Sequence, residues 1–349
     1  MASATAKVDV TVRGAGIFGL SVAWVCVLRG ASVRVVDPFG PGTGSSGGMV
    51  GALAPHVPEN WNPKKAFQLE SLLMAEAFWA KVAAEGGVSA GYGRTGRLQP
   101  VADEPALDLA RRRGQGADDL WQGQAAWDVI RVQDAGDFAP TSPSGWLIRD
   151  TLTARMAPRR ACNALVAALT ARGVEFCQVA PDAGAVVWAT GWRGLHDLSD
   201  QLGRKIGDGV KGQSVLLRHA ASDAPQVFVG GLHIIPHADG TVAIGSTSER
   251  EFEDPTSVDA QCDDLITRAH EAMPILREAE EIGRWAGVRP RARSRAPLLG
   301  AWPGRDGHFV ANGGFKIGFG MAPKAAEVMA DLVLEGRDAI PDGFGFDAC

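Results

Sequence analysis

Hydrophobic residues near the N-terminus form a short strand pattern that is followed by a helix-length run. Residues 8–12 are rich in β-branched side chains, which is typical of a buried strand. An apolar stretch then continues to Leu28, where Arg29 and Gly30 supply a helix stop, with a cation in the last turn and a glycine beyond it. A second β-branched run covers residues 32–36. The order strand, helix, strand predicts a βαβ unit at the start of the chain.

Helical and strand patterns alternate along the rest of the chain. Apolar positions at helical spacing predict helices over residues 64–84, 104–113, 157–172, 257–277 and about 323–334. Short β-branched or alternating runs predict strands over residues 97–101, 174–179, 185–189, 215–218, 227–229, 233–236 and 241–244. Turn residues separate the last four strands, which predicts an antiparallel sheet that forms one wall of a substrate site. We therefore expect an α/β fold.

The junction between the first strand and the first helix carries the motif Gly14-Ala15-Gly16-Ile17-Phe18-Gly19. Its first glycine permits a tight turn, its second lets a pyrophosphate approach the backbone, and its third lets the helix pack close to the strand. The helix N-terminus then presents N–H groups to the phosphates. Asp37 follows the last glycine by eighteen residues, where a carboxylate binds the ribose hydroxyls of an ADP group. This acid favours an unphosphorylated ribose, hence FAD or NAD over NADP.

Two further segments suit a nucleotide ligand. Residues 38–51 are rich in glycine and include Ser45 and Ser46, a composition that suits backbone lying tightly against a ligand, with hydroxyls and amides aimed at phosphates. Because an apolar run follows directly, we favour a fixed, ligand-wrapped loop over a flexible linker. The strand predicted at 185–189 ends on Thr190 and Gly191, which is typical of a returning strand in a nucleotide-binding layer.

Composition and charge narrow the functional classes. A chain of 349 residues can bury a large core and suggests two domains, or one domain with a large insertion. Its net charge of −5 gives no sign of nucleic-acid binding. Five widely spaced cysteines without a C-x-x-C or Cys/His ligand pattern predict a reduced, cytoplasmic protein without a metal site. The N-terminus lacks the apolar region of a signal peptide, and the glycine motif explains the first apolar segment better than a membrane span.

Taken in order along the chain, the motifs resemble those of the D-amino-acid oxidase (DAO) superfamily of FAD-dependent oxidoreductases, and within it the glycine oxidase and amine oxidase branch. The residues that carry the resemblance are Gly14-x-Gly16-x-x-Gly19 with Asp37, the Ser45-Ser46 loop, Ala189-Thr190-Gly191, Lys211-Gly212-Gln213, Gly287-Val288-Arg289-Pro290 and the C-terminal glycine-rich turn before a helix. The resemblance covers most of the chain apart from residues 76–144.

The resemblance implies a Rossmann-like FAD-binding domain assembled from the discontinuous segments 1–75, 145–210 and 296–349. A substrate domain built on an antiparallel sheet with helices would take residues 76–144 and 211–295. Residues 76–144 are placed there by elimination. FAD would be bound non-covalently, since the only cysteine after Gly287 is the terminal Cys349.

The implied reaction is oxidation of the C–N bond of a small amino acid or secondary amine that carries a carboxylate, as glycine, D-amino acids and N-substituted glycines do. Hydride would pass from the substrate Cα to flavin N5, giving an imine that water hydrolyses. O2 or an electron carrier would take up the electrons. Because the cofactor performs the hard step, the protein mainly orients the substrate.

The resemblance also implies the residues of the site. Arg289 of the G-x-R-P pattern would anchor the carboxylate, because a planar guanidinium suits bidentate capture. The other catalytic candidates that it implies are His233 and Lys316, which stand where the family commonly has tyrosine and arginine. His56 is a candidate from its position alone, at the end of a buried segment, and its alternative role is that of a hydrogen-bonded structural residue. The cofactor-binding candidates are Gly14, Ala15, Gly16, Ile17, Phe18, Gly19, Asp37, Pro38, Ser45, Ser46, Gly48, Met49, Val179, Thr190, Gly191, Gly313, Gly314, Phe315, Lys316, Ile317 and Gly318.

Arginines recur at alternating positions, namely Arg289, Arg291, Arg293 and Arg295. On an extended segment a period of two places all four on one face. This local positive charge favours a substrate with more than one carboxylate, such as D-aspartate or iminodiacetate, over glycine or D-alanine. The alternative is that the four are solvated charges in a loop flanked by Pro290 and Pro297.

Two other functions stay open at this point. The oxidase domain of the tRNA wobble-uridine modification system belongs to the same superfamily and cleaves a related carboxymethylamino group. The acidic charge balance and the lack of a Lys/Arg stripe with interleaved aromatics count against that substrate. The second alternative is a non-catalytic FAD-binding subunit of a hetero-oligomeric dehydrogenase, which the retention of Arg289 and His233 disfavours. A homo-oligomer is compatible with each interpretation.

Overall fold

The computed structural model describes residues 7–349, which form seven α-helices and sixteen strands. The helices are α1 (Ile17–Leu28), α2 (Pro63–Gly86), α3 (Glu104–Trp121), α4 (Pro158–Ala171), α5 (Gly191–Leu202), α6 (Gln261–Ala272) and α7 (Gly318–Glu335). The strands are β1 (Val10–Arg13), β2 (Val33–Val36), β3 (Ala52–Leu53), β4 (Arg97–Pro100), β5 (Trp127–Arg131), β6 (Trp146–Asp150), β7 (Ala154–Arg155), β8 (Glu175–Cys177), β9 (Ala185–Trp188), β10 (Gly207–Arg218), β11 (Gln226–Val229), β12 (Leu232–Pro236), β13 (Thr241–Gly245), β14 (Glu280–Ala292), β15 (Leu298–Ala301) and β16 (His308–Asn312).

The first sheet has six strands in the order β15-β16-β9-β1-β2-β8. Its neighbours are parallel except for the edge pair β15–β16, and Val12 of β1 lies opposite both Val35 and Val187. The β-branched residues of β1 and β2 are mostly buried, as a parallel sheet covered on both faces requires. Helices α1, α2, α4 and α7 pack on one another and share a core that includes Trp24 and Met329, both 0% exposed.

The second sheet has eight strands in the order β14-β10-β13-β12-β11-β4-β6-β5. Its neighbours are antiparallel except for β4 and β11. Helix α6 packs against this sheet, where Leu265 joins Val215, Leu217 and Ile244 in a second core. The antiparallel sheet predicted over residues 215–244 is therefore confirmed, and the structure extends it on both sides.

These two sheets and their helices confirm the predicted α/β class, with one Rossmann-like parallel layer and one antiparallel sheet. Two strands disagree with the predicted domain limits. β6 belongs to the eight-stranded sheet, although the sequence assigns residues from 145 onward to the FAD-binding segment. β10 begins at Gly207 rather than at 211. The domain boundaries remain a proposal, and the strand pairing favours moving the limit at 145 to the end of β6.

Several helices differ from the sequence prediction. α3 continues to Trp121 rather than ending at 113, and α6 is shorter than the predicted span 257–277. α7 begins at Gly318, so Pro323 lies inside the helix rather than at its start. The reason is tertiary packing. A Cβ on Gly320 would lie 3.3 Å from Cδ2 of Leu72, so small residues that resemble a loop let the first turn of α7 pack closely on α2. The sequence does not predict α5, whose first turn has no capping side chain. No helix within residues 7–349 has the length and apolar character needed to cross a bilayer.

Candidate active site

The glycine motif forms a tight turn between β1 and α1. Gly14 has a φ of 105°, and a Cβ there would lie 2.3 Å from the carbonyl oxygen of Ala189. A Cβ on Gly19 would lie 1.9 Å from the carbonyl oxygen of Gly14, so the helix can approach the turn this closely only with glycine at that position. α1 then begins behind Gly16, which has no capping side chain. The start of the helix therefore offers N–H groups to an anion.

The glycine-rich loop after β2 is held against this turn. The Oγ of Ser46 accepts a hydrogen bond from the N–H of Ile17 at 2.9 Å. The N–H of Gly42 donates to the carbonyl oxygen of Ala15, also at 2.9 Å. These bonds fix the loop against the turn, and the hydroxyl of Ser46 lies beside the first turn of α1.

Asp37 lies directly after β2 and directs its carboxylate toward the glycine turn. Oδ2 accepts a hydrogen bond from the N–H of Ala15 at 2.8 Å, and Oδ1 accepts one from the N–H of Phe39 at 2.9 Å. An ionised carboxylate has about four acceptor positions. Asp37 therefore keeps acceptor capacity for the hydroxyls of a ribose.

One cavity of about 640 Å³ joins these elements to the eight-stranded sheet. Most of the predicted cofactor-binding residues line it, namely Gly14, Ala15, Gly16, Ile17, Phe18, Asp37, Pro38, Ser45, Ser46, Gly48, Met49, Thr190, Gly191, Gly314, Phe315, Lys316 and Gly318. His233 and Arg289 line the same cavity. The structure thus brings the nucleotide-binding turn and three of the four catalytic candidates into one space.

Five predicted residues do not line the cavity, namely Gly19, Val179, Gly313, Ile317 and His56. Val179 follows the end of β8 and is 86% exposed. Both the backbone N–H and the imidazole Nδ1 of His56 contact the Oε1 of Gln68, whose amide group in turn donates to the carbonyl oxygen of Ala54. These contacts give His56 a structural place between β3 and α2 and keep it away from the other catalytic candidates.

Arg289 is a half-buried cation in the wall of the cavity. Its Nη2 donates to the Oγ of Ser246 at 2.6 Å, and its Nη1 donates to the carbonyl oxygen of Thr247 at 3.2 Å. Within residues 7–349 no carboxylate forms a salt bridge with this guanidinium, and Glu249 acts on it only from a longer distance. Burial lowers the pKa of Arg289 to about 10, so the group stays charged at neutral pH. A charged, oriented guanidinium can bind a ligand carboxylate bidentately.

His233 and Lys316 differ in charge. The Nδ1 of His233 is buried and has no hydrogen-bond partner in the part of the chain that the structure describes. Burial, together with the positive charges of Arg97, Lys316 and Arg289, lowers the pKa of His233 to about 3, so its imidazole is neutral at neutral pH. Burial and the nearby Arg289 also lower the pKa of Lys316. Of the three catalytic candidates that line the cavity, Arg289 and Lys316 are therefore cationic and His233 is neutral.

The alternating arginines do not form the single positive face that the sequence predicts. Only Arg289 lines the cavity. The guanidinium of Arg291 lies 5.6 Å from the ring centre of Phe315, while Arg293 and Arg295 are exposed. The prediction is wrong because β14 ends at Ala292, and the regular alternation of side chains ends with it.

Several residues of the cavity wall are not predicted from the sequence. Ser246 follows β13 in a segment with neither a helical nor a strand pattern, so nothing in the sequence singles it out. Trp188, Trp192 and Trp285 also line the cavity. The only sequence signal for them is compositional, since the chain has ten tryptophans and a single tyrosine.

The residues present fit FAD. The glycine turn, the uncapped start of α1 and the serine hydroxyls supply donors for a diphosphate, and Asp37 supplies an acceptor for a ribose. α7 also begins without a capping side chain, and its first residue, Gly318, lines the cavity. None of the five cysteines, which all lie within the described residues, lines this cavity. Non-covalent attachment remains a prediction.

Comparisons with known proteins agree with this assignment. The family model described as DAO, FAD dependent oxidoreductase, matches residues 9–332. A glycine oxidase of Pseudomonas putida is 28% identical, over 96% of this chain and 96% of its own length. Among solved structures, a glycine oxidase from Geobacillus kaustophilus has a TM-score of 0.84 at 22% identity, covering 97% of this chain and 98% of that one. An iminodiacetate oxidase from a Chelativorans species has a TM-score of 0.83 at 20% identity, covering 95% and 97%.

The two structural likenesses establish the fold, and the family model covers most of the chain. Together with the glycine turn and the cavity beside it, this match assigns FAD as the cofactor and amino-acid or amine oxidation as the general activity. The chain belongs to the DAO family of FAD-dependent oxidoreductases.

Proposed function

We propose that the protein oxidises the C–N bond of a small primary or secondary amine that carries a carboxylate, such as glycine, a D-amino acid or an N-substituted glycine. The observation that carries this proposal is Arg289, a half-buried guanidinium that lines the FAD cavity and has no carboxylate partner in residues 7–349. A buried charge is costly unless it is paired, so its retention favours an anionic ligand at this position. The glycine oxidase relatives support the same substrate class.

The side chains of the cavity have distinct roles in the proposal. Arg289 binds the substrate carboxylate and orients the Cα. His233, neutral because of its lowered pKa, accepts a hydrogen bond from the substrate amine through its imidazole. A base this weak does not take the amine proton, so its role is orientation. The chemistry that bound FAD would supply is acceptance of the hydride from the Cα. Water then hydrolyses the imine, and O2 or an electron carrier receives the electrons.

Lys316 extends the proposal to substrates with two carboxylates. It lines the cavity on the turn before α7, and no salt bridge to a carboxylate involves it in residues 7–349. Lys316 and Arg289 are neighbouring cations, and such a pair favours a dianionic substrate such as iminodiacetate or D-aspartate over glycine or D-alanine. The structural likeness to an iminodiacetate oxidase is compatible with this preference.

The free thiols of all five cysteines fit the cytoplasmic location predicted from the sequence.

The test begins with the visible spectrum of the purified protein loaded with FAD. Glycine, sarcosine, D-alanine, D-aspartate and iminodiacetate are then added without oxygen, and bleaching of the flavin absorbance identifies each substrate whatever the natural acceptor is. We expect bleaching by at least one of these carboxylates and none by methylamine, which lacks the carboxylate. Equal preference for glycine and iminodiacetate would remove the dianion part of the proposal.

The role of Arg289 is tested with Arg289→Met and a matched control, Arg293→Met. Arg293 is an exposed arginine four residues away that does not line the cavity. We expect R289M to lower kcat/KM at least about tenfold while R293M keeps the wild-type value. Bleaching by none of the carboxylates, or an R289M protein as active as R293M, would refute the proposed function.

A further inference from the structure

The segment after β13 contains an extra residue beside the substrate anchor. Antiparallel pairing joins Ser214 of β10 to Gly245 and resumes at Lys211 with Glu249. Three steps along β10 therefore correspond to four steps along the facing segment, which is the count of a β-bulge. We call residues 246–249 the strap. Bulges re-aim side chains next to active sites, and this one lies beside Arg289.

The strap provides both hydrogen-bond acceptors that orient the guanidinium. Ser246 Oγ accepts from Nη2, and the carbonyl oxygen of Thr247 accepts from Nη1. Gly212 of β10 has no side chain, which leaves room for the guanidinium of Arg289 beside this strand. The direction of the remaining N–H donors of Arg289 thus depends on the conformation of the strap.

The conformation of the strap depends in turn on one carboxylate. Glu249 accepts hydrogen bonds from the hydroxyl of Thr247 and from the Nε2 of Gln213, the latter at 3.2 Å and 3.4 Å. It also lies 3.6 Å from the Nζ of Lys211. Lys211 and Gln213 are 3% and 0% exposed, so these contacts are shielded from water. The Oγ1 of Thr247 completes the cluster by accepting from the N–H of Gln213 at 2.8 Å.

We propose that Glu249 is a positioning residue for substrate binding, because it fixes the strap that aims Arg289 at the substrate carboxylate. The proposal rests on the proposed function, in which Arg289 binds that carboxylate. Glu249 does not line the cavity, so it acts on the substrate only through the strap. Lys211 and Gln213 of the K-G-Q motif then hold Glu249 on one face of β10. Arg289 lies on the other face, beside Gly212.

A purely electrostatic role for Glu249 makes the opposite prediction. Its negative charge acts on Arg289 from a distance, and it would compete with an incoming carboxylate. Removing the charge would then tighten the binding of an anion. A positioning role predicts weaker binding, because the acceptors at Ser246 and Thr247 lose their fixed place. The sign of the change therefore separates the two roles.

The probe is glycolate, a carboxylate without an amine, titrated into the FAD-loaded protein and followed by its effect on the visible flavin spectrum. We expect Glu249→Gln to raise the Kd of glycolate about tenfold, as for the loss of a well-aimed bond to a charged group. The control is Glu251→Gln, which removes the same charge from an exposed position just beyond the strap and should leave the Kd unchanged. The Kd of FAD should be unchanged in both variants.

A second pair of variants serves if E249Q folds poorly. Thr247→Val removes the hydroxyl that connects Glu249 to Gln213, whereas Thr247→Ser keeps it. We expect T247V to raise the glycolate Kd and T247S to restore it. Tighter or unchanged binding in E249Q, or equal values for T247V and T247S, would overturn the positioning role. Failure of glycolate to bind the wild type, or R289M binding as well as the wild type, would instead refute the proposed function itself.

Discussion

The guanidinium of Arg289 occupies the space that a side chain at position 212 would need. A Cβ on Gly212 would lie 2.0 Å from Nη2 and 2.2 Å from Nη1 of Arg289. Val210 is the direct cross-strand partner of Arg289, so the arginine side chain reaches along β10 to position 212. The K-G-Q motif thus has two buried polar side chains, Lys211 and Gln213, on one face of the strand and no side chain on the other.

Gly212→Ala is therefore expected to displace the substrate anchor without changing any charged group. We predict at least an about tenfold loss of kcat/KM, carried mainly by KM, since the guanidinium can no longer hold its contacts to Ser246 and Thr247. The matched control is Gly283→Ala in β14, where the added Cβ would make only an ordinary contact at 3.5 Å. Steady-state kinetics with the substrate found by flavin bleaching measure both. Equal KM values in the two variants would contradict the prediction.

The charge of Lys316 predicts how carboxylate binding depends on pH. Burial and the nearby Arg289 lower the pKa of Lys316 below its usual 10.5, so its positive charge is lost at a lower pH than that of a free lysine. Binding of glycolate should therefore weaken as the pH rises from 7 toward 9, a range that stays below the pKa of about 10 of Arg289. In Lys316→Arg the guanidinium stays charged over this range, and the weakening should shift to higher pH.

The measurement is the Kd of glycolate at several pH values for the wild type, K316R and Lys316→Met. Glycolate has no amine, so titration of the ligand does not enter. K316M should bind weakly already at pH 7 and change less with pH than the wild type. Identical pH profiles for the wild type and K316M would show that Lys316 takes no part in anion binding.

The contacts of Asp37 predict that its replacement weakens the binding of FAD. Its carboxylate fixes the N–H groups of Ala15 and Phe39 and keeps acceptor capacity for the ribose, so Asp37→Ala loses both functions. We expect the Kd of FAD, measured by the change in flavin fluorescence when the apoprotein is titrated, to rise by about tenfold or more. Glu175→Gln is the control, because Glu175 is an exposed acid on the neighbouring strand β8 that does not line the cavity. An unchanged FAD affinity in D37A would contradict the assignment of Asp37.

The nucleotide half of the site was readable from the sequence because its determinants are local. The turn at Gly14, the start of α1 behind Gly16 and the carboxylate of Asp37 all lie within one βαβ unit, where spacing alone sets geometry. The four short strands predicted over residues 215–244 lie in the second sheet, and they too were predictable because their patterns and turns are local. Such elements depend on neighbours in sequence rather than on distant packing.

The substrate half depends on contacts that no spacing reveals. Ser246 lies 43 residues from Arg289 in sequence and reaches it only through the bulge that faces β10. The early start of α7 depends on the fit of Gly320 against Leu72, more than two hundred residues away. The end of β14 at Ala292 separates Arg293 from Arg289. A period of two carried no information about where that strand stops.

The neutrality of His233 predicts a pH dependence of stability. Its pKa is about 3 in the folded protein, against 6.5 as the ordinary value in the unfolded chain. Between these values the unfolded chain binds a proton at this position and the folded protein does not. By linkage, the contribution of His233 to the free energy of unfolding is fully present above pH 6.5 and is lost as the pH falls toward 3. The loss is about 1.4 kcal/mol per pH unit within that window.

His233→Asn removes this titration while keeping a polar side chain at the same position. The difference in free energy of unfolding between the wild type and H233N should therefore change by about 2 kcal/mol between pH 7 and pH 5, with the wild type losing more. Urea unfolding of both proteins at the two pH values measures it, and the other titrating groups cancel because both proteins contain them. A difference that stays constant would mean that His233 takes up a proton equally in the folded and unfolded chains. It would then be charged at moderately acidic pH, and it could not serve as the hydrogen-bond acceptor for the substrate amine under those conditions.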